Sequence, residues 1–268
     1  MSTTTQRQST YLHEHFRYTP DHHAQYERLG YCTFDTFLSK QGLDRCCQHI
    51  ERMLQNRQSG RPTDEIFSAH QQEPWMFELA TEPAILDMIE HQIGPNIVLW
   101  ASHMLCKPPH SGMLIPWHQD VPYWNVSGPL PGGLWIPFDD VDASNGAMAI
   151  LPGWHNKGIL PRRQRASEVF DQEIDPSALP DDVDAAKFQY DLKAGQLALH
   201  HTMIPHHSYP NESDRWRRVL VFRFMTAGGD MGPKAYEDYR TGENFDREYY
   251  LVRGKDVKGR GLKTSPFG

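Results

Sequence analysis

Two side chains that commonly bind transition metals, His118 and Asp120, stand two positions apart in the stretch Trp117-His118-Gln119-Asp120. Residues i and i+2 of an extended strand point to the same side, so this imidazole and this carboxylate can converge on one point. Two histidines and one carboxylate on one face of a metal, with the other face open, are typical of non-haem Fe(II) that activates oxygen. The spacing therefore predicts a metal site that needs a second histidine from elsewhere in the chain.

The candidates for the second histidine lie together, late in the chain. They belong to two pairs, His200-His201 and His206-His207. A lone histidine is more often structural than metal-binding, and three of these residues, His201, His206 and His207, compete for the position. The residues alone leave that choice open.

An arginine follows His206 by eleven residues, at Arg217. Its planar guanidinium can bind a carboxylate through two parallel hydrogen bonds, which a lysine would not reproduce. Arg217 is therefore a candidate clamp for a small dicarboxylate. Strand alternation places Arg215 on the same side as Arg217 and Arg218 on the opposite side, so the local pattern does not choose between Arg215 and Arg217.

The composition is typical of one globular domain, with 268 residues, seven Trp and eleven Tyr. A formal net charge of −7 argues against a nucleic-acid surface. The four cysteines form no C-x-x-C pair, and the first ten residues lack the apolar segment of a secretory signal. No run approaches the about 18 apolar residues of a membrane span. We expect a cytoplasmic protein without a membrane or nucleic-acid partner, and the oligomeric state is left open.

Helices come first in the chain and short strands follow, without regular alternation. Capping residues and apolar spacing predict helices that start at Thr19, Ser39 and Thr81 and end near Gly30, Gln55 and Gly94. Strands are predicted at 31–34, from 97 onward, and at 133–138, 147–151, 195–200 and 219–225, with loops over 56–74 and 155–192. This order favours an α+β fold with a two-sheet jelly roll or barrel.

We expect a single domain over residues 1–268. Its parts are a polar, loosely held arm (1–18), a mainly helical support (19–95), the jelly-roll core (96–226) and a loosely packed tail (227–268).

Ordered motifs extend from residue 30 to residue 225. They are Gly30-Tyr31 with Phe37-Leu38-Ser39, Lys107-Pro108-Pro109, Trp117 to Asp120, Trp135 to Asp140, Asn145-Gly146, Leu151 to His155, and His206 to Asn211. In this order they resemble the motifs of the phytanoyl-CoA dioxygenase (PhyH) family of Fe(II)/2-oxoglutarate-dependent oxygenases. Two positions depart from the family pattern, with Trp154 where Ser is usual and His207 where Gly is usual.

The resemblance implies a fold and a metal site. The fold would be a double-stranded β-helix, a cupin-like jelly roll braced by amino-terminal helices. His118, Asp120 and His206 would bind Fe(II), because Ser208 and Asn211 match the family motif that follows the second histidine ligand.

The resemblance also implies a cosubstrate site. Arg217, assisted by the hydroxyl of Ser208, would bind the distal carboxylate of 2-oxoglutarate. Trp135 and His103 would line the same pocket.

The implied reaction consumes O2 and 2-oxoglutarate, releases succinate, and hydroxylates an unactivated C–H bond of a small metabolite. One alternative is the same chemistry on an acyl-CoA or a natural-product intermediate, with hydroxylation, desaturation or ring closure as outcome. Another is a non-catalytic sensor that binds metal and 2-oxoglutarate. Asp120 fills the position that related halogenases leave open for chloride, so we expect hydroxylation rather than halogenation.

Two aromatic residues directly after the metal motif, Tyr123 and Trp124, are candidate substrate contacts. An indole face attracts cations, and the acidic chain mildly favours a cationic or zwitterionic partner. We therefore expect an amine-bearing small molecule, such as an amino acid, an ectoine-like compound or an aminophosphonate. The plainer alternative is that Trp124 only packs at the mouth of the barrel.

Overall fold

The structure is a computed structural model that describes residues 9–57, 64–110, 113–124, 127–165, 171–230 and 232–268. Its helices are α1 (Pro20–Leu29), α2 (Lys40–Asn56), α3 (Pro74–Ala80), α4 (Pro83–Ile93), α5 (Val121–Trp124) and α6 (Val183–Ala186). Within the described ranges, no helix combines the length and the apolar character needed to cross a membrane.

Fifteen strands are described. They are β1 (Tyr31–Phe34), β2 (Asp64–Phe67), β3 (Ile97–Lys107), β4 (Ile115–His118), β5 (Gly133–Pro137), β6 (Met148–Ile150), β7 (Arg162–Gln164), β8 (Gln172–Ile174), β9 (Phe188–Gln189), β10 (Leu197–His200), β11 (His206–Ser208), β12 (Arg217–Thr226), β13 (Ala235–Glu237), β14 (Asn244–Asp246) and β15 (Tyr250–Arg253).

Local signals set the ends of the first helix. The Thr19 side chain accepts from the backbone N–H of His22 at the start of α1, and Pro20 occupies the first helical position. The helix ends at Gly30, whose φ of +77° is in the left-handed region. A Cβ at position 30 would also lie 2.5 Å from Nδ1 of His155, so only glycine fits there.

Two antiparallel sheets form the core. The larger has seven strands in the order β1-β10-β5-β12-β3-β15, with β2 paired to β3, and the smaller has the order β4-β11-β6-β9. Sequence neighbours are separated within the sheets, as expected for a jelly roll. Together with the helices, this is an α+β jelly-roll fold.

Strand alternation divides the apolar side chains between two layers. On β12, Leu220 and Phe222 belong to the cluster that packs the outer face of the large sheet against the helices. Val219 and Val221 belong to a second cluster, which also includes Ile150 of the small sheet. The inner faces of both sheets therefore enclose the space in which the predicted site residues lie.

The amino-terminal arm differs from its expected loose state. Residues 1–8 lie outside the described residues, but Tyr11, Leu12 and Phe16 are buried in the main core. The arm is tied down by Ser39, whose backbone N–H donates to the carbonyl of Tyr11. Burial of these three apolar side chains stabilises the arm against the core, although the stretch is polar in composition.

Long-range pairing also changes the predicted loops and tail. Part of the 56–74 loop is β2, which pairs with β3, and a 3-10 helix over Ala69–Gln71 connects β2 to α3. The excursion over 155–192 contains β9, which completes the small sheet. The tail is not loose at β15, because this strand pairs with β3 and buries Tyr250. The single-domain division itself stays a prediction.

Candidate metal and cosubstrate site

The three predicted metal ligands come together in the barrel interior. His118 ends β4 and His206 begins β11, and the two residues are direct antiparallel partners. Asp120 lies two residues beyond the end of β4, where its backbone N–H donates to Thr202. One ligand atom from each of the three buried side chains lies within 4.8 Å of the other two. This donor set of two imidazoles and one carboxylate fits Fe(II).

The chain itself fixes the orientation of both imidazoles. Nδ1 of His118 is 2.8 Å from the carbonyl of Pro116, and Nδ1 of His206 is 3.0 Å from that of Ile204. Each Nδ1–H donates to the carbonyl two residues earlier, so each Nε2 keeps its lone pair for a metal. Burial, with a smaller contribution from the neighbouring His206, lowers the pKa of His118 to about 3, so this imidazole is neutral, as a metal ligand must be.

The competing histidines have other neighbours. The ring of His201 packs 5.2 Å from that of His155, and its Nδ1 accepts from the backbone of Met203. The ring of His207 lies 4.1 Å from that of Trp117. His200 is closer to the site, with its ring centroid 5.5 Å from that of His206, but neither it nor the other two joins the ligand cluster. The described residues contain no second cluster of this kind.

Arg217 lies at the other end of the same interior, at the start of β12. Its side chain is buried, and Nη1 reaches only the carbonyl of Leu105, at 3.4 Å. Within the described residues its Nε has no hydrogen-bond partner, and no carboxylate pairs with it. Burial lowers the pKa of Arg217 to about 10, a value that still leaves the guanidinium charged at neutral pH. By contrast, Arg215 is on the surface and pairs with Asp142 at 2.6 Å.

A second buried cation, Lys107, lies opposite Arg217 on β3. Its Nζ donates to Oγ of Ser208 at 2.8 Å and also to the carbonyl of Tyr209. Burial, with a further contribution from Arg217, lowers the pKa of Lys107 to about 6. In the sequence, Lys107 is only part of the Lys107-Pro108-Pro109 turn motif. Its position beside Arg217 arises from the pairing of β3 with β12.

Trp135 and His103 line the space between these two ends in different ways. Trp135 is buried at the centre of β5, among the side chains that fill the interior. His103 stacks on Phe67 with ring centroids 4.1 Å apart, and its Nε2 lies 3.5 Å from a carboxylate oxygen of Glu65. Both neighbours come from β2, which lies within the predicted 56–74 loop.

The predicted substrate residues form the short helix α5 directly after Asp120. The ring of Tyr123 is edge-on to that of His118 at 6.1 Å, and its hydroxyl donates to the carbonyl of Gln172. The ring of Trp124 is edge-on to Trp100 at 5.1 Å. Both residues are only partly exposed. Tyr123 therefore lies beside the candidate ligand His118, and Trp124 lies against Trp100 of β3.

Arg223, which is not among the predicted site residues, lies between the candidate ligand Asp120 and the ring of Trp124. Its Nη2 is 3.7 Å from Oδ2 of Asp120, and its guanidinium carbon lies 4.9 Å from the centroid of the Trp124 ring. Burial alone would raise the pKa of Asp120, but Arg223 and the nearby histidines outweigh it and hold that pKa below its usual value. Alternation along β12 could have revealed Arg223, because it shares the inner face with Arg217.

The residue between the first two ligands, Gln119, was also missed. Its side chain is buried, and Nε2 donates to the carbonyls of Gly158 and Met203 at 2.9 and 2.7 Å. Its Oε1 accepts from the backbone N–H of Leu160 at 2.9 Å. Gln119 thus ties the ligand-bearing segment to two loops, which makes it a positioning residue.

The chain matches one protein-family model over most of its length. The family model of phytanoyl-CoA dioxygenase (PhyH) matches residues 26–219, and this range contains all three candidate ligands and Arg217. This chain belongs to the phytanoyl-CoA dioxygenase family. The resemblance predicted from the ordered motifs is therefore confirmed.

Curated relatives agree with membership of the PhyH family. The chain is 31% identical over 166 residues to a protein of Stutzerimonas stutzeri named probable alpha-ketoglutarate-dependent hypophosphite dioxygenase, covering 61% of this chain and 58% of the relative. It is 26% identical over 174 residues to the peroxisomal phytanoyl-CoA dioxygenase of Bos taurus, covering 62% and 51%. The chain thus spans little more than half the length of either relative.

A solved structure agrees with the jelly-roll fold. The apo form of ThoJ, described as a non-heme monooxygenase, superposes with a TM-score of 0.67 at 24% identity and covers 91% of this chain and 85% of its own. At this identity the likeness concerns the fold alone. It confirms the α+β jelly roll predicted for a PhyH-family chain.

Proposed function

We propose that this protein is an Fe(II)- and 2-oxoglutarate-dependent dioxygenase that hydroxylates a small metabolite. One observation carries the proposal. The His118–Asp120–His206 cluster faces the same buried interior as Arg217, which forms no ion pair with a carboxylate of the described residues. A buried cation without an anionic partner is costly, so Arg217 favours an anionic ligand that completes it. Membership of the PhyH family supports the same chemistry.

The chain's own residues would divide the work as follows. His118 and His206 would bind the metal as neutral imidazoles and Asp120 as a carboxylate, and bound Fe(II) would supply oxygen activation and C–H oxidation. Arg223 would offset the charge of Asp120 from 3.7 Å, which favours the ionised carboxylate that a metal needs.

The cosubstrate would be oriented from the other end of the interior. Arg217 and Lys107, with the Ser208 hydroxyl held by Lys107, would bind the distal carboxylate of 2-oxoglutarate. Trp135 and His103 would form the walls between this cradle and the metal, where packing excludes water.

The experiment is Fe(II)-dependent formation of succinate from 2-oxoglutarate by purified protein, with and without a chelator. We expect turnover that requires Fe(II). A 2-oxo acid of similar length without the distal carboxylate should be a poor replacement, because Arg217 would find no partner. Tight binding of metal and 2-oxoglutarate without any succinate, even with a broad substrate panel, would instead favour the sensor alternative.

The outcome on the substrate is proposed as hydroxylation. Asp120 occupies the ligand position that a halogenase leaves open, so chlorinated product in chloride buffer would contradict the proposal. Product mass distinguishes hydroxylation from desaturation or ring closure, since only hydroxylation adds one oxygen atom.

An amine-bearing substrate stays a prediction. The proposed contact is Trp124, which lies at the barrel mouth close to the metal ligands. Succinate release across a panel of amines, amino acids and acyl-CoA thioesters tests it, with correction for uncoupled turnover. If only the thioesters stimulate release, and Trp124→Leu leaves their turnover unchanged, the amine prediction is wrong.

A further inference from the structure

The position of Arg223 bears on the chemical class of the substrate. Arg223 lies where the pairing of β12 with β3 shifts register, so that Arg223 opposes Ala101 and the next residue opposes Leu99. Such bulges re-aim side chains and are frequent next to active sites. Here the skipped residue is Trp100, which packs against Trp124. Next to this bulge, Arg223 lies between Asp120 and the indole of Trp124.

Among the described residues, none accepts a hydrogen bond from Arg223. At 3.7 Å, the contact from its Nη2 to Asp120 is an ion pair but not a hydrogen bond. Among the described residues its Nε is buried without a partner. A guanidinium has five N–H donors in its plane, and stacking on an indole leaves that plane free to bind an oxyanion through two parallel bonds. The side chain is 14% exposed, so a ligand at the barrel mouth can reach it.

The charges inside the barrel favour an anion as well. Among the described residues, the inward-facing positions of β3 and β12 carry the basic side chains Lys107, Arg217 and Arg223, and the carboxylates of Glu65 and Asp120 lie beside this face. The charges of Fe(II) and 2-oxoglutarate cancel each other. Without a ligand, Lys107 has a pKa of about 6 and is uncharged at neutral pH, but a bound distal carboxylate would favour its protonated form. With 2-oxoglutarate in place, one positive charge among these groups then remains, and a substrate with one negative charge would neutralise it.

A purely cationic substrate meets the opposite conditions. The indole face of Trp124 that would attract it already carries the guanidinium of Arg223. An ammonium group placed there would also lie close to a like charge. The amino acids and aminophosphonates considered above all carry an oxyanion, so they remain compatible if that group, and not the amine, is recognised.

We propose that the substrate carries a small oxyanion, a carboxylate or a phosphonate, and that Arg223 binds this group beside the metal. This inference rests on the proposed function, because it assumes that 2-oxoglutarate occupies the Arg217 end. Arg223 would then fix the distance between the oxyanion and the carbon that is oxidised. The substrate would be held by one end, with its reacting C–H bond directed at the metal.

The test is calorimetric titration of the protein loaded anaerobically with Fe(II) and saturating 2-oxoglutarate. The probes are acetate, methylphosphonate and methylammonium, which are similar in size and differ in charge. We expect at least one anion to bind without displacing 2-oxoglutarate, and methylammonium not to bind. The preferred anion distinguishes a carboxylate from a phosphonate substrate.

Variants assign the binding to Arg223. Arg223→Gln should weaken binding of the anion by about tenfold or more, because a charge-assisted hydrogen bond is lost. Arg223→Lys, which keeps the charge without the planar fork, should give an intermediate loss. The matched control is Arg253→Gln, since Arg253 lies on β15 and pairs with Asp87 and Glu90, away from the interior. Its anion binding should equal that of the wild type.

Several results would overturn the proposal. They are binding of methylammonium as tight as that of the anions, anion binding only in competition with 2-oxoglutarate, equal binding by Arg223→Gln and wild type, or no binding of any probe. If Arg223→Gln does not fold, Arg223→Lys and the charge preference of the wild type decide. Failure of the proposed function is seen separately, as absence of Fe(II)-dependent succinate formation by the wild type before any probe is added.

Discussion

The two ends of the barrel interior differ in how far the chain itself supplies partners for their polar and charged side chains. At the metal end, the chain supplies nearly every partner: backbone carbonyls orient His118 and His206, and Arg223 offsets the charge of Asp120. At the opposite end, the proposed cosubstrate end, Arg217 and Lys107 lie side by side, and no carboxylate among the described residues forms an ion pair with either of them. The metal end is therefore prepared in advance, whereas the other end is electrostatically complete only with a bound anion.

The largest effect should come from the metal end. His206→Ala removes one of three ligands, so stoichiometric Fe(II) binding and turnover should both be lost. His201→Ala is the matched control, because His201 packs against His155 outside the ligand cluster. Equilibrium dialysis with Fe(II) and succinate assays measure both variants. The reverse pattern would mean that the second histidine ligand is His201.

A large but conditional effect is expected at the cosubstrate end. Arg217→Ala should raise the 2-oxoglutarate requirement steeply, at a cost of about 2–5 kcal/mol, as for other truncated buried charge pairs. Arg215→Ala removes a surface arginine paired with Asp142 and should have a weaker effect. The dependence of the initial rate on 2-oxoglutarate concentration gives the comparison. Equal dependence in Arg217→Ala and wild type would place the clamp elsewhere.

At the end that contains Arg217, the protonation of Lys107 should make both stability and 2-oxoglutarate binding depend on pH. The pKa of Lys107 is lowered to about 6 in the ligand-free protein, against about 10.4 for an unfolded lysine. The unfolded chain therefore binds more protons between these values, so Lys107 makes stability rise with pH across this window. A bound carboxylate would raise the pKa of Lys107 again, so 2-oxoglutarate binding near pH 7.5 should take up a proton.

Calorimetry in two buffers with different ionisation enthalpies measures this proton uptake. We expect uptake in the wild type, none in Lys107→Met, and 2-oxoglutarate binding by that variant about tenfold weaker. Binding by the wild type without proton uptake would show that Lys107 is already charged in the ligand-free protein.

The smallest effect should come from the support of the metal end. Gln119→Leu leaves the carbonyls of Gly158 and Met203 and the N–H of Leu160 without their partner. We expect Fe(II) affinity to fall by about tenfold, in the range of other residues that orient metal ligands, together with a lower Tm. The control is Gln196→Leu, because Gln196 bonds its exposed neighbours far from the ligands. Unchanged Fe(II) affinity would limit Gln119 to folding alone.

Local signals made much of the fold predictable. Thr19 caps the start of α1 and Gly30 caps its end, each through contacts within a few residues. Spacing in the sequence was therefore sufficient to predict both ends of this helix. The strand β2 was not predictable in this way, because its pairing with β3 is non-local and two of its four residues are carboxylates. The pairing of β15 with β3 is likewise non-local.

The site followed the same rule. The ligand motif at His118 and Asp120 has a local spacing, and a family pattern pointed to His206. Alternation along β12 indicates only that Arg223 shares a face with Arg217, and the turn motif of Lys107 does not show what its side chain contacts. The neighbours of both residues depend on the non-local pairing of β12 with β3. The partner of His103, Glu65, was hidden for the same reason, since it comes from the unpredicted β2.

The carboxyl end of α1 has a consequence for mutational tolerance. The carbonyl of Gly30 accepts from the backbone of His201, that of Leu29 accepts from Gly153, and His155 fills the space where a side chain at position 30 would stand. These contacts brace the two loops that Gln119 joins to the ligand-bearing strand. A survey of all single substitutions scored by activity should therefore find position 30 among the least tolerant of the amino-terminal third, although it touches neither metal nor substrate.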